Sequence, residues 1–444
     1  MHRVFPFSDF LYLLQLEEYY TFNYFRRLPM FFLRRGLERH DRLNWTLRIK
    51  LTFVLSLALF IIFTLSAFLF WSALTGALLL ATSALLIPVW VGLANAILDP
   101  PNRIAKIYLR RKAKNFVRST NPRAKIIVVA GSFGKTTTKN FIYQLIRFNY
   151  RVQMVEGNIN TPTGIAQWLL KNLDKRAEVI LVEMDAYEIG EIAKSCTILP
   201  PDISVITNVG DQHLIRFGNK RNLANALLEV IKFSKENAAA VISESTRKDF
   251  KALSVSVPSD RAIHLVSDRP RYKGVELSNF ENFPNRFNLA LALKVAELLD
   301  IPEKFVLDIS KKLDIPERRH QLSEKEGYKI IDDSYNISLT TGKYGVSSAK
   351  DLARKAGLKL VVVTGGIPES GRGANAEYGR FLRETANHLV FLETSFKAEF
   401  TSGFGGKEYL TAKSLSDAWE MIKKNFKANE VLVLIQPELT DLYY

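Results

Sequence analysis

Gly131-Ser132-Phe133-Gly134-Lys135-Thr136-Thr137 stands between the β-prone run Ile126–Ala130 and a helical pattern starting at Thr138. Glycines let a backbone approach an anion, the first turn of a helix points unpaired N–H groups at it, and a lysine adds a point charge. The spacing reads as a phosphate cradle, with the Thr136 hydroxyl offered to Mg²⁺. At G-x-x-G-K-T it is shorter than the common G-x-x-x-x-G-K-[ST] loop, which argues against a generic NTPase. More chemistry lies at the ends of two apolar runs. Glu183 and Asp185 come at the end of Val179–Met184, and Asp211 and His213 follow Ile203–Thr207. Acidic groups and a histidine at the carboxyl ends of strands, beside a phosphate loop, suit metal-assisted phosphoryl transfer.

Such residues need a scaffold that brings strand ends together. Strand-like runs at Lys125–Ala130, Val179–Met184, Ile203–Thr207 and Ala239–Ile242 alternate with helical patterns such as Thr138–Phe148 and Leu223–Lys235. That alternation predicts a mostly parallel sheet covered by helices. It restarts beyond Asp314-Ile315-Pro316 with Lys329–Asp332, Lys359–Thr364, His388–Glu393 and Glu430–Ile435. The expected fold class is α/β. A central P-loop-type parallel-sheet ATPase domain covers 122–315 and a C-terminal Rossmann-like α/β domain covers 316–444, with a transmembrane helical hairpin ahead of both. The lone Cys196 excludes an internal disulfide framework and a cysteine-rich zinc site.

A formal net charge of +16 invites a nucleic-acid reading, but the distribution of charge argues against it. Arg34, Arg35, Arg39, Arg42, Arg48 and Lys50 precede the uncharged run Leu51–Leu98, and a second basic cluster from Arg103 to Lys125 follows it. A helical span needs about 20 residues, so two fit, at Leu51–Trp71 and Leu74–Ile97, with a turn near Ser72–Gly76. Basic flanks on both outer sides put both ends in the cytoplasm. The expected location is the inner membrane, with two spans, cytoplasmic catalytic domains, lipid headgroups on the basic clusters and no nucleic acid. Residues 1–48 mix aromatics with charge and are expected as an amphipathic arm on the membrane surface. Residues 49–98 would be the hairpin and 99–121 a basic juxtamembrane helix.

The order of motifs is more specific than any one of them. The phosphate loop is followed by Glu183, by Thr207-Asn208-Val209-Gly210-Asp211-Gln212-His213-Leu214, by Asn285-Arg286-Phe287-Asn288 and by Asp332-Asp333-Ser334-Tyr335-Asn336. Over about residues 122–370 this series resembles the Mur ligase family, and D-D-S-Y-N resembles its cell-wall branch. The resemblance implies an ATP-dependent, ADP-forming carboxylate–amine ligase of peptidoglycan precursor synthesis. A muropeptide carboxylate, UDP-linked or lipid-linked, would be activated as an acyl phosphate and attacked by the amine of an amino acid or a dipeptide such as D-alanyl-D-alanine.

By the same resemblance Gly131, Ser132, Gly134, Lys135, Thr136 and Thr137 would hold ATP, with Lys135 on its β- and γ-phosphates. Thr136 and Glu183 would position Mg²⁺, and His213 would serve a second metal. Asn285 and Asn288 would lie at adenine, Asp333 and Tyr335 at the same cleft, and Arg318 would close onto the nucleotide. Lys135, Glu183, His213 and Arg318 are the expected catalytic set, and Asn158, Asn160 and Thr161 would flank the substrate.

Four positions depart from the family pattern. Leu227 stands where the family places a carbamylated, metal-bridging lysine, and Pro284 replaces the histidine before Asn285. Apolar helical sequence replaces the domain that grips the uridine nucleotide, which raises a lipid-linked acceptor beside simple tethering. The terminal Ile435-Gln436-Pro437-Glu438-Leu439 lacks the family's lysine-containing ending. A relative that adds amino acids to another polymer, such as a polyglutamate, and a membrane-bound nucleotide-binding scaffold without catalysis both remain open.

Overall fold

A computed structural model describes residues 6–17, 19–33, 43–70, 73–156, 159–210, 217–267, 269–276, 285–310, 312–335, 337–367, 371–393 and 397–437. The chain divides into two compact units, one drawn from residues 1–108 and one spanning Leu109–Leu439.

The first unit is helical, with α1 (Pro6–Leu16), α2 (Thr21–Leu33), α3 (Leu47–Phe70), α4 (Ala73–Leu85) and the start of α5 (Ile87–Thr120). Phe7, Leu11, Leu14, Tyr24, Ile49 and Val91 form its buried apolar cluster. Polar anchors lock the same corner: the Tyr24 hydroxyl donates to the Pro88 carbonyl (2.9 Å), and Asn95 Nδ2 donates to the Tyr19 carbonyl (2.9 Å). The residues expected as a surface arm thus build a small helical core with the segment that follows.

The expected hairpin of two spans over Leu51–Leu98 is not confirmed. Among the described residues one helix, over Leu47–Ser66, is by itself long and apolar enough to cross a bilayer. The second expected span breaks at Leu86, where Leu79–Leu85 and Ile87–Thr120 meet at 69°. Apolar composition is shared by a span and by a helix of a packed core, so the uncharged run alone does not separate them.

The second unit carries two sheets. The first contains β1 (Lys125–Ala130), β2 (Val152–Met154), β3 (Val179–Glu183), β4 (Ile203–Ile206), β5 (Ala239–Ser243) and β6 (Ala262–Val266), in the order β2-β3-β1-β4-β5-β6. All its pairings are parallel. The central strands β1, β3, β4 and β5 are near-continuous apolar runs buried on both faces, as such sheets require. One face packs on α6 (Lys135–Ile146) and α11 (Arg286–Leu298). The other packs on α7 (Pro162–Asn172), α8 (Glu191–Cys196), α9 (Lys220–Lys232) and α10 (Glu244–Ala252). Ala113 and Val117 join that second face, so the basic helix expected at 99–121 is the end of α5 and has its apolar side in this core.

After a short antiparallel pair, β7 (Arg271–Tyr272) and β8 (Val275–Glu276), the second sheet holds β9 (Gln321–Lys325), β10 (Tyr328–Asp332), β11 (Lys359–Thr364), β12 (His388–Leu392), β13 (Leu410–Ala412) and β14 (Val431–Ile435). Their order is β13-β12-β11-β14-β10-β9, parallel except at the β9 edge. In both sheets the chain reverses its direction of travel beside a central strand. That opens a crevice at the carboxyl edge, around β1 in one and between β11, β14 and β10 in the other.

Candidate active site

The crevice of the first sheet is set by register. Val129 pairs with Glu183 and Ala130 with Ile206, so the chain leaving β1, the last residue of β3 and the turn after β4 meet at one edge. Gly134 has φ +77°, and an added Cβ would lie 2.3 Å from Asn288 Oδ1, so both conformation and space demand glycine there. No side chain caps the first turn of α6, which leaves its N–H groups available to an anion. The turn after β4 clamps the loop. Asn208 Oδ1 accepts from the Phe133 N–H (3.1 Å), its Nδ2 donates to the Phe133 carbonyl (2.8 Å), and Ser132 Oγ accepts from the Gly210 N–H (2.9 Å).

The charged groups form one connected cluster. Lys135 Nζ donates to the Gly131 carbonyl (2.7 Å) and pairs with Asp185 Oδ2 (3.0 Å), folding the lysine across its own loop. Thr136 Oγ1 donates to Glu183 Oε2 (2.9 Å). Lys139, almost wholly buried, sits 3.4 Å from the same carboxylate oxygen and donates to the Val155 carbonyl (3.0 Å). Burial pulls its ammonium below the usual lysine range, and Glu183 opposes that pull.

A third cation arrives from the segment joining the two sheets. Arg319 Nη2 donates to Thr136 Oγ1 (3.0 Å), and its guanidinium lies 3.8 Å over the Tyr335 ring. Burial lowers its pKa, with Tyr335, Glu183 and Asp333 opposing the shift. Asn285 Nδ2 approaches the Arg319 carbonyl at 3.5 Å, which places the start of α11 beside the same arginine. A loop shaped for phosphate, a hydroxyl–carboxylate pair and an arginine from a second α/β layer therefore share one edge.

Residues 129–296 match the family model described as the Mur ligase middle domain. This segment is similar to that domain. The chain is 27% identical over 285 residues to a UDP-N-acetylmuramoyl-tripeptide–D-alanyl-D-alanine ligase of Bacillus subtilis, covering 59% of this chain and 60% of that protein. The counterpart from Buchnera aphidicola is 25% identical over 345 residues, 71% of this chain and 74% of the relative. Among solved structures, the MurF ligase of Thermotoga maritima in complex with ADP superposes with a TM-score of 0.64 at 26% identity, covering 75% of this chain and 80% of that one. The chain thus spans about three-fifths of the Bacillus subtilis relative. These names, with one unbroken helix long and apolar enough to span among the described residues, overturn the two-span inner-membrane location and leave a lipid partner without support.

The expected site residues fall into distinct groups. Gly131, Ser132, Gly134, Lys135, Thr136 and Glu183 are brought together as described, and Thr137 is buried in the first turn of α6. Asn288 lies against the loop, accepting from Thr138 Oγ1 (3.2 Å) and donating to Asn285 Oδ1 (3.1 Å). Thr161 caps α7 by accepting from the Gly164 N–H, and the Asn160 carbonyl accepts from the Asp185 N–H (3.2 Å). Asn158, Asp211 and His213 lie outside the described residues.

Arg318 is exposed with φ +58°, whereas its neighbour Arg319 reaches the phosphate loop. The signal was present as two adjacent arginines in Pro316-Glu317-Arg318-Arg319-His320, but a one-residue choice of side is settled by backbone conformation. Asp333 accepts from Gln436 Nε2 (2.8 Å), and Gln436 in turn accepts from the Tyr378 hydroxyl (2.6 Å). Gln436, at the end of β14, is thereby built into the second crevice.

Leu227 is 1% exposed in the apolar core between α9 and the first sheet, and offers nothing to a cation. Glu229, two residues on, does not replace the missing lysine. Its two oxygens accept from the Gly190 N–H (2.6 Å) and the Ala193 N–H (2.9 Å), tying α9 to α8. Among the described residues no three of His, Cys, Asp and Glu are gathered to hold a metal. The Thr136–Glu183 pair does suit Mg²⁺, which takes one or two protein oxygens and completes its shell with phosphates and water.

Proposed function

We propose that this protein is an ATP-dependent, ADP-forming carboxylate–amine ligase. It would join D-alanyl-D-alanine, or a similar amine, to a UDP-linked muramoyl peptide. The observation that carries the proposal is the arrival of Arg319 from the second α/β layer at the Thr136–Glu183 pair. A nucleotide held between the layers would present its γ-phosphate where groups from both converge.

The residues divide the work. Loop N–H groups and the first turn of α6 receive the β- and γ-phosphates, and Lys135 turns from Asp185 to the phosphate oxygens. Thr136 and Glu183 would hold Mg²⁺, which when bound offsets phosphate charge. Arg319 supplies a planar, multi-donor cation on the transferred phosphoryl group. The substrate carboxylate takes that group to give an acyl phosphate. The amine attacks its carbonyl carbon, the C–N bond forms, and phosphate leaves. Closure of the layers excludes water, which would otherwise hydrolyse the acyl phosphate.

The test is phosphate release from ATP by the purified chain, supplied with Mg²⁺, UDP-linked muramoyl tripeptide and D-alanyl-D-alanine. Release should require both substrates and fall by about 100-fold or more in Lys135→Ala, the scale on which one charged donor acts on developing charge. ATP binding without turnover across several amines would favour the non-catalytic scaffold, for which the burial of Leu227 is the supporting observation.

A further inference from the structure

Resting on that ligase reading, we infer that His320 is the general base that takes the proton from the incoming amine. An amino group is protonated at neutral pH and cannot attack until it loses a proton, so the site needs an acceptor near the acyl phosphate. His320 is 8% exposed, and its Nε2 is fully buried with no hydrogen-bond partner. Such an atom in a native fold calls for a ligand or a chemical role. The other ring nitrogen, Nδ1, lies 3.6 Å from Asp333 Oδ2. A carboxylate behind one nitrogen fixes the tautomer and steadies the imidazolium formed when the other takes a proton. Separations of this kind are often long before substrate binds.

The surroundings hold the carboxylate for that task. Gln436 Nε2 donates to Asp333 Oδ2, and the Tyr378 hydroxyl donates to Gln436 Oε1, so a buried chain of hydrogen bonds runs in from the second sheet. His320 is also next in sequence to Arg319, whose guanidinium touches Thr136. The imidazole therefore belongs to the same short segment that reaches the phosphate loop. Both Arg318 and His320 have positive φ, +58° and +59°. Two non-glycine residues held there in succession around Arg319 mark backbone strain of the sort kept at working sites.

The step balances. The ammonium gives one proton to His320 Nε2, and the neutral amine attacks the acyl carbon. The C–N bond forms and the C–O bond to phosphorus breaks. Phosphate departs with that electron pair and takes the second amine proton, and His320 returns its proton to water when the cleft reopens.

Hydroxylamine separates this role from a structural one, because it is already unprotonated at neutral pH and traps an acyl phosphate as a hydroxamate without a base. With ATP, Mg²⁺ and UDP-linked muramoyl tripeptide, His320→Ala and His320→Gln should lose about 100-fold or more in amide formation with D-alanyl-D-alanine, while hydroxamate formation stays within about threefold of the parent. Equal loss of both products in both variants would overturn the proposal in favour of a packing role, and unchanged amide formation would overturn it outright. A parent chain that makes neither product would overturn the ligase reading itself, and the base with it.

Discussion

Arg318 and Arg319 differ by one position and point to different fates, which makes them a sharp test of the site. Arg319 is half-buried between Thr136 and Tyr335, whereas Arg318 is exposed. Replacing Arg319 by Ala should lower kcat/KM for ADP formation by about 100-fold, and Arg319→Lys should recover little, because a point charge does not reproduce a planar fork. Arg318→Ala should stay within about threefold of the parent, as for an exposed residue away from the chemistry. Steady-state ATP turnover measures all three. A larger loss in Arg318→Ala than in Arg319→Ala would reverse the assignment.

Helix α9 carries an apolar residue where the family resemblance implies a lysine. Leu227 packs in the apolar core, so Leu227→Ala should cost about 2–5 kcal/mol in denaturant unfolding. Leu227→Lys should cost about 3 kcal/mol or more, since an unpartnered ammonium would be stranded among alkyl groups. Glu229 binds the same helix to α8, and burial raises its pKa above the ordinary value of 4.5. In the window between the unfolded and folded values the native state binds more protons, so stability falls as pH rises through it. Thermal midpoints should drop as pH climbs from about 4.5, the unfolded value, and Glu229→Gln should flatten that slope. A parent chain whose midpoint rises over the same interval would contradict the burial argument.

At the scale of the whole molecule, the two units are separable in their internal contacts, and the second contains both sheets together with Ala113 and Val117 of α5. A fragment of residues 109–439 should therefore fold cooperatively and bind ATP about as tightly as the full chain, read by calorimetric unfolding and nucleotide titration. A fragment that unfolds without a transition would show that the helical unit is needed for the fold.

The parallel sheet, the phosphate loop and Glu183 at a strand end were legible in the sequence. Each rests on local pattern: β-branched runs, glycine turns and helix starts a few residues apart. The neighbours of those residues were not legible. That Lys139 buries its ammonium beside Glu183, that Arg319 rather than Arg318 enters the cleft, and that His320 meets Asp333 depend on sheet register and on two positive φ angles. The uncharged run Leu51–Leu98 is a related case, since apolar composition does not reveal the break at Leu86. Sequence alone determined which chemical groups stand in the glycine loop and at the strand ends. Tertiary structure decided which of them meet, because contacts between residues far apart in the chain are set by packing rather than by spacing.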